Sequence, residues 1–336
     1  MRVPFTFKEL FFQEVEKSPS GIVNCHAHLD RAITLTPDIW EQSQALMEEK
    51  WILMRDIKRA YMDDPESFKK RLRIVLDDQI EQGVVACRTH VDADSIVELK
   101  VVKMMAELRE EYKDKFTLQL VAHPLEGFTN DETLEHDPTK IKIFEEACDI
   151  CDVVGGLPSR DRKMEEGDLK HMDILFGIAK NLGKDLDVHI DQENNPLEKD
   201  TEKLIAKTRE HGYEGHVTFV HSISLACQST EDRKRIIADL KDIGANVTVC
   251  PRAAIGMKQH IDKTAPVHNS IAPVVELLEA GVNVGLGTDN IADIFIPNTC
   301  GDIFDEVNLL ADGVRLYNLK TLAEIATVNG QKTLKI

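Results

Sequence analysis

Short runs of apolar and β-branched residues recur along the chain. Each is followed by a polar or glycine-bearing loop and then by an amphipathic stretch. The runs are GIVNC (21–25), GVVACRTHV (83–91), FTLQLVAH (116–123), CDVVGGL (151–157), DLDVHI (185–190), HVTFVH (216–221), GANVTVC (244–250) and GVNVGLG (281–287). Between them, segments such as SIVELKVVKMMAELREEYK and TEDRKRIIADLKDIG repeat their apolar residues three and four apart, as a helix does. Strands that are apolar throughout belong to a parallel sheet covered on both faces. Eight strand–helix units in 336 residues predict an α/β fold. A (β/α)8 TIM barrel fits them better than an open doubly wound sheet. The absence of a linker or low-complexity tract predicts one domain over 1–336. Residues 38–82 are long enough for two helices, with DDPES as the break and Pro65 near the second start. YNLKTLAEIATVNGQKTLKI reads as a closing helix.

Composition narrows the partners. Lys plus Arg number 41 against 59 Asp plus Glu, a net charge of −18. That balance argues against nucleic acid or an anionic membrane surface. The first residues lack a basic start and long apolar run, and no stretch reaches membrane-spanning length. With seven scattered cysteines, a reduced, cytoplasmic protein is expected. Cys148 and Cys151 form a C-x-x-C with no second pair, so packing in a helix is the expected role. Trp40 and Trp51 are expected in the core of the first helical region.

The polar residues at strand ends change the picture. In a barrel these ends converge on one open face, where chemistry is built. NCHAHLD sets His26 and His28 two apart, so on an extended segment both rings share a face. His90 and Asp92 end the second strand, His123 the third, His189 the fifth and His221 the sixth; the eighth runs out to Asp289. One such histidine would be bonded to backbone; several at once make a metal-ligand set. The expected set is His26, His28, His189 and Asp289. His90 and His123 are open between a supporting role and plain packing.

NCHAHLDRA, CRTHVDAD, VAHPLEG, DVVGGLPS, DVHIDQ, FVHSIS and GLGTDNIADIF occur in order over almost the whole chain. Together they resemble the amidohydrolase superfamily, in its branch of bacterial cytosine deaminase and N-isopropylammelide hydrolase. The resemblance implies one divalent metal ion held by His26, His28, His189 and Asp289. It implies that Asp289 also shuttles a proton and that His221 lies beside the reacting water. Such ligands suit Zn2+ or Fe2+, with Mn2+ a third choice. No lysine ends strand 4, where a two-metal version would carry one.

Three departures from the resemblance carry information. Leu125 replaces the glutamine of a PQEG-like motif, and leucine cannot hydrogen-bond a pyrimidine edge, so cytosine is a poor candidate. Gln192 stands where the branch has a proton-shuttling glutamate, leaving Asp191 or Glu193 as its replacement. The ends are too short for the usual β-sandwich, and the flank where it would dock is a candidate contact between copies in a homo-oligomer. Asn290, Asp293 and Phe295 are expected at the pocket mouth. Asp30 is either pocket-lining or a helix N-terminal charge. The resulting expectation is a metal-dependent hydrolase of a non-peptide C–N bond in a small, cyclic nitrogen compound. Its rival is a barrel that binds a metal or metabolite without turnover.

Overall fold

Strands apolar on both faces need helices outside and side chains packed within, and the chain supplies both. The structure is a computed structural model that describes residues 5–256, 262–267 and 270–336. Its strands are β1 (Ile22–Ala27), β2 (Val84–Asp92), β3 (Thr117–His123), β4 (Val153–Gly156), β5 (Leu186–Ile190), β6 (Val217–His221), β7 (Asn246–Val249) and β8 (Asn283–Leu286). They pair in chain order, all parallel. A bridge between Ala27 and Asp289 brings β8 back to β1, with Asp289 N donating to His26 O at 2.9 Å. The sheet is therefore a closed (β/α)8 barrel, with strands where the hydrophobic runs predicted them.

Outside, helices bury apolar stripes against the strands. Pro65–Glu81 presents Leu72, Val75 and Leu76, and Lys100–Tyr112 presents Val101, Val102, Met105 and Leu108. The region expected to hold two helices holds three: Pro37–Gln42, Met47–Met62 and Pro65–Glu81. Asp64 caps the last of these by accepting from Ser67 N at 3.1 Å, and Pro65 takes the first turn as expected. The closing helix is two, Leu319–Ala326 and Val328–Leu334, separated at Thr327. Cys148 and Cys151 are buried and unbridged, as packing residues should be. Trp40 lies 48% exposed, so its expected core role fails: the short helix that carries it buries no residue. Among the described residues no helix is long and apolar enough to cross a membrane.

The period of two along β2 builds the barrel interior in layers. Ala86 packs with Val23, Cys25 and Leu334 at the floor. Arg88, two residues on, completes this floor, bonded to Asp187, Thr218 and the carbonyl of Thr333. His90 comes next, among the rings at the mouth. In β1 the ladder slips register between Asn24 and Ala27. That irregularity lets His26 face the ring cluster although Cys25 already points to the floor. Gly287 then permits closure, because a Cβ there would lie 2.6 Å from the His26 Cβ.

Candidate active site

Six imidazoles converge at the mouth. The His26 centroid lies 5.0 Å from His28, 4.5 Å from His90, 4.8 Å from His189 and 5.4 Å from His221. His123 lies 4.7 Å from His189. Asp289 enters from beyond β8. Its Oδ1 is 3.6 Å from His26 Nε2 and 3.5 Å from His28 Nε2, and its Oδ2 is 3.7 Å from His221 Nε2. The Nε2 atoms of His28 and His189 are 3.2 Å apart. Ligand atoms about 2.0–2.1 Å from one tetrahedral cation would stand about 3.3–3.4 Å from each other. The observed spacings match that figure.

Hydrogen bonding supports the same use. Both ring nitrogens of His26 are buried without a partner among the described residues. Leaving such groups unmet is costly, so a buried orphan calls for a ligand. His189 Nδ1 donates to Gly156 O at 3.3 Å, which leaves its Nε2 lone pair free to face the cluster. His28 differs. Arg31 Nη2 lies 2.6 Å from its Nδ1 and can only donate. A lone pair on His28 Nε2 requires a proton on Nδ1, so cation binding must displace the Arg31 contact.

Electrostatics sets the protonation states. Burial, then Arg31 and neighbouring rings, drives His28 well below the ordinary imidazole value. Burial and the rings of His90 and His123 do the same to His189. Burial lowers His221 to about 4, with Asp289 opposing. For Asp289 burial raises the carboxyl, but the neighbouring His26 and His221 rings outweigh it, and the group settles at about 2. At neutral pH the mouth thus offers neutral imidazoles and one carboxylate, the donor set a divalent cation takes. Asn290 Nδ2 donates to Asp289 Oδ1 at 2.8 Å while its Oδ1 accepts from Arg31 Nε at 2.9 Å, which fixes the carboxylate. His221 and Asp289 both hold positive φ, 75° and 61°. Non-glycine residues keep that conformation only where surrounding structure imposes it, commonly at functional sites.

A cleft of about 610 Å³, counting its open mouth, lies over the cluster. Leu125, Gln192, Asn290 and Phe295 line it, where they were expected. His123 lines it too, which resolves that residue towards the pocket. His90 lies beneath, its Nε2 3.3 Å from Asp187 Oδ1. Four residues fall elsewhere. Asp191, at φ 47°, turns away and accepts from Asp200 N, Thr201 N and Thr201 Oγ1, capping helix Asp200–His211. Glu193 lines a neighbouring chamber. Asp30 is buried and its Oδ2 accepts from Asp92 N at 3.0 Å. Asp293 is buried, with Oδ1 tying Phe295 N and Ile296 N into a turn. Sequence reasoning missed Trp51 and Arg31, which also line the cavity. The long β1–β2 connection was the available signal, because it carries the helix Met47–Met62 that brings Trp51 over the mouth.

Residues 19–336 match the model of the amidohydrolase family. The chain belongs to that family. It is 36% identical over 276 residues to an uncharacterized protein of Haemophilus influenzae, covering 81% of this chain and 95% of the relative. It is 31% identical over 289 residues to the N-isopropylammelide isopropyl amidohydrolase of a Pseudomonas strain, covering 84% of this chain and 65% of the relative. The 5-methylcytosine deaminase of Klebsiella pneumoniae shares the fold, with a TM-score of 0.83 at 24% identity over 94% of this chain and 75% of that one. This amidohydrolase family member is a hydrolase of C–N bonds other than peptide bonds.

Proposed function

We propose that the chain deaminates, or releases an amine from, a small nitrogen heterocycle, with one divalent cation held by His26, His28, His189 and Asp289. One observation carries the reading: the Asp289 carboxylate lies 3.6, 3.5 and 3.7 Å from ring nitrogens of His26, His28 and His221, and the Nε2 atoms of His28 and His189 are 3.2 Å apart. When bound, the cation would supply an activated water at neutral pH. Zinc and iron(II) suit the donors best, and manganese is the third choice.

The chain's own residues do the rest. Asp289 is ionised and held by Asn290, so its carboxylate accepts a proton and hands it to the departing nitrogen. His221, neutral and strained into place, donates or accepts at the reacting carbon's oxygen. Neither Asp191, spent as a cap, nor Glu193, in the next chamber, replaces the shuttle glutamate. Gln192 reaches the cavity and donates to Ser159 Oγ at 3.3 Å, so it orients substrate and carries no proton. Trp51 and Phe295 give a flat ring apolar surfaces to pack against, while Leu125 refuses the polar edge that cytosine presents. The names of two relatives, an N-isopropylammelide amidohydrolase and a pterin deaminase of Rhizobium rhizogenes, support a heterocycle rather than an open chain.

The test is metal analysis of the purified chain, then ammonia or amine release from triazines, pterins and pyrimidines and ring opening of hydantoins. About one divalent ion per chain is expected, lost together with turnover in His26→Ala. A full-length protein that binds no cation after incubation with zinc or iron(II) would overturn the reading.

A further inference from the structure

We propose that the substrate carries an anionic arm, a carboxylate on or close to its ring, which enters a second chamber and is held there by Arg160. The inference rests on the hydrolase reading above and narrows its substrate class.

The second chamber, about 980 Å³ with its open mouth, adjoins the first, and Met47, Trp51 and Gln192 line both. Arg160 lies in the short turn Pro158–Asp161 beyond β4 and lines this chamber with its side chain only 5% exposed. Its guanidinium carbon sits 5.0 Å from the Trp51 ring centroid, a cation–π contact that holds the fork in place. Nε donates to Leu125 O at 3.1 Å. Nη2 comes no closer than 3.7 Å to Glu126 Oε2, beyond hydrogen-bond range. The Nη hydrogens of this buried cation thus meet no acceptor among the described residues. Glu126 is itself taken by Arg55 at 2.8 Å.

The chamber's other cations are committed. Arg55 also bonds Asp131, Arg162 bonds Glu198 and Asp200, and Lys163 bonds Asp131. Glu48 and Glu193 also line the chamber, but Glu48 is exposed and Glu193 half-buried, so solvent screens them. A planar fork, pre-set by stacking and short of acceptors, is matched by a carboxylate taking two parallel hydrogen bonds. With a ring over the imidazoles, an arm passing Trp51 and Gln192 would end at Arg160.

The experiment compares matched ring pairs on the metal-loaded full chain: pterin with pterin-6-carboxylate, aminopyrimidine and aminotriazine rings with their carboxymethyl forms. Ammonia release gives kcat/KM and calorimetry gives binding. The acid is expected to be preferred by about tenfold or more, through KM, the worth of one charge-assisted contact. In Arg160→Gln that ratio falls towards one, and Arg160→Lys restores part of it. An acid preference that survives in Arg160→Gln, or no acid preference in either turnover or binding for any pair, overturns the proposal. The wild-type comparison decides even if the variants fail to fold. Acid-selective binding without turnover would sustain the arm and sink the hydrolase reading; turnover without acid preference would do the reverse.

Discussion

Two layers of the same barrel interior, equally buried, treat their polar groups in opposite ways. At the floor, Arg88 is 1% exposed and its guanidinium is met on every side: Gln119 Oε1 at 2.6 Å, Asp187 Oδ2 at 2.7 Å, Thr218 Oγ1 at 3.3 Å and Thr333 O at 2.9 Å. One layer up, the Nδ1 atoms of His26, His90, His123 and His221 have no hydrogen-bond partner among the described residues. A buried charge survives only when paired and bonded, so the floor is built for stability. A cluster of unmet imidazoles is a cost that stability alone would remove, so the mouth is built for a ligand. Asp187 joins the layers, with one oxygen on Arg88 and the other 3.3 Å from His90. Burial by itself does not separate structural from functional polar residues; the accounting of their partners does.

The sharpest break of this contrast is Asp289→Asn. It should cost turnover on the order of a thousandfold or more and reduce metal content, while the melting temperature holds or rises. Metal analysis and calorimetry on the same preparation check it. A large fall in melting temperature would put Asp289 with the floor. Arg88→Met should do the opposite. It strands Asp187 in the interior and should cost about 3–5 kcal/mol of stability, with residual activity tracking the folded fraction. Denaturant unfolding measures this, and a loss below about 1 kcal/mol would mean that the floor is not the stabilising layer.

Acid separates the layers next. Burial holds His90 and His221 at about 4, with the neighbouring His26 helping to lower His90. Their folded values lie below the unfolded value of about 6.5, so the unfolded chain takes up protons first as pH falls. This stability is fully present above pH 6.5 and is lost progressively down to about pH 4, by up to about 3 kcal/mol for each ring. At the floor, Asp187 is pushed up by burial but held at about 2 by His90 and Arg88, so its share is lost only below the unfolded value of about 3.9. Melting temperature against pH should slope between 4 and 6.5 in the metal-free protein. The double variant His90→Asn, His221→Asn should flatten that slope. The smallest expected effect is Trp51→Phe, which trims a wall shared by both chambers and should raise KM about threefold with little change in melting temperature.

The barrel and much of the mouth were legible because strand period and strand ends are local features. Eight apolar runs predicted eight strands, and the histidines that end β1, β2, β3, β5 and β6 all reach one cluster. The residues just past the strand ends were not legible. Asp191 stands two after His189, which on an extended segment would share its face. At φ 47° the chain leaves the strand, and the carboxylate finds the amides of Asp200 and Thr201. Asp30 and Asp293 likewise answer to backbone amides rather than to the cavity. Trp51 was expected in the core as the default for a tryptophan of the first helical region, and it is only 8% exposed. That burial comes from lying across the cavity mouth beneath Arg160.

By itself the sequence determined the number and order of the strands, the closed parallel sheet and the identity of the donors at its mouth. These follow from side-chain period and from which residue ends each strand, both properties of a few consecutive residues. Only the tertiary structure decided which carboxylates face the imidazoles, that Trp51 and Arg31 join the cavity, and that a second chamber with Arg160 lies beside it. Those outcomes depend on where loops of different length and backbone φ carry residues distant in the chain, and on which amide or cation each side chain meets there first.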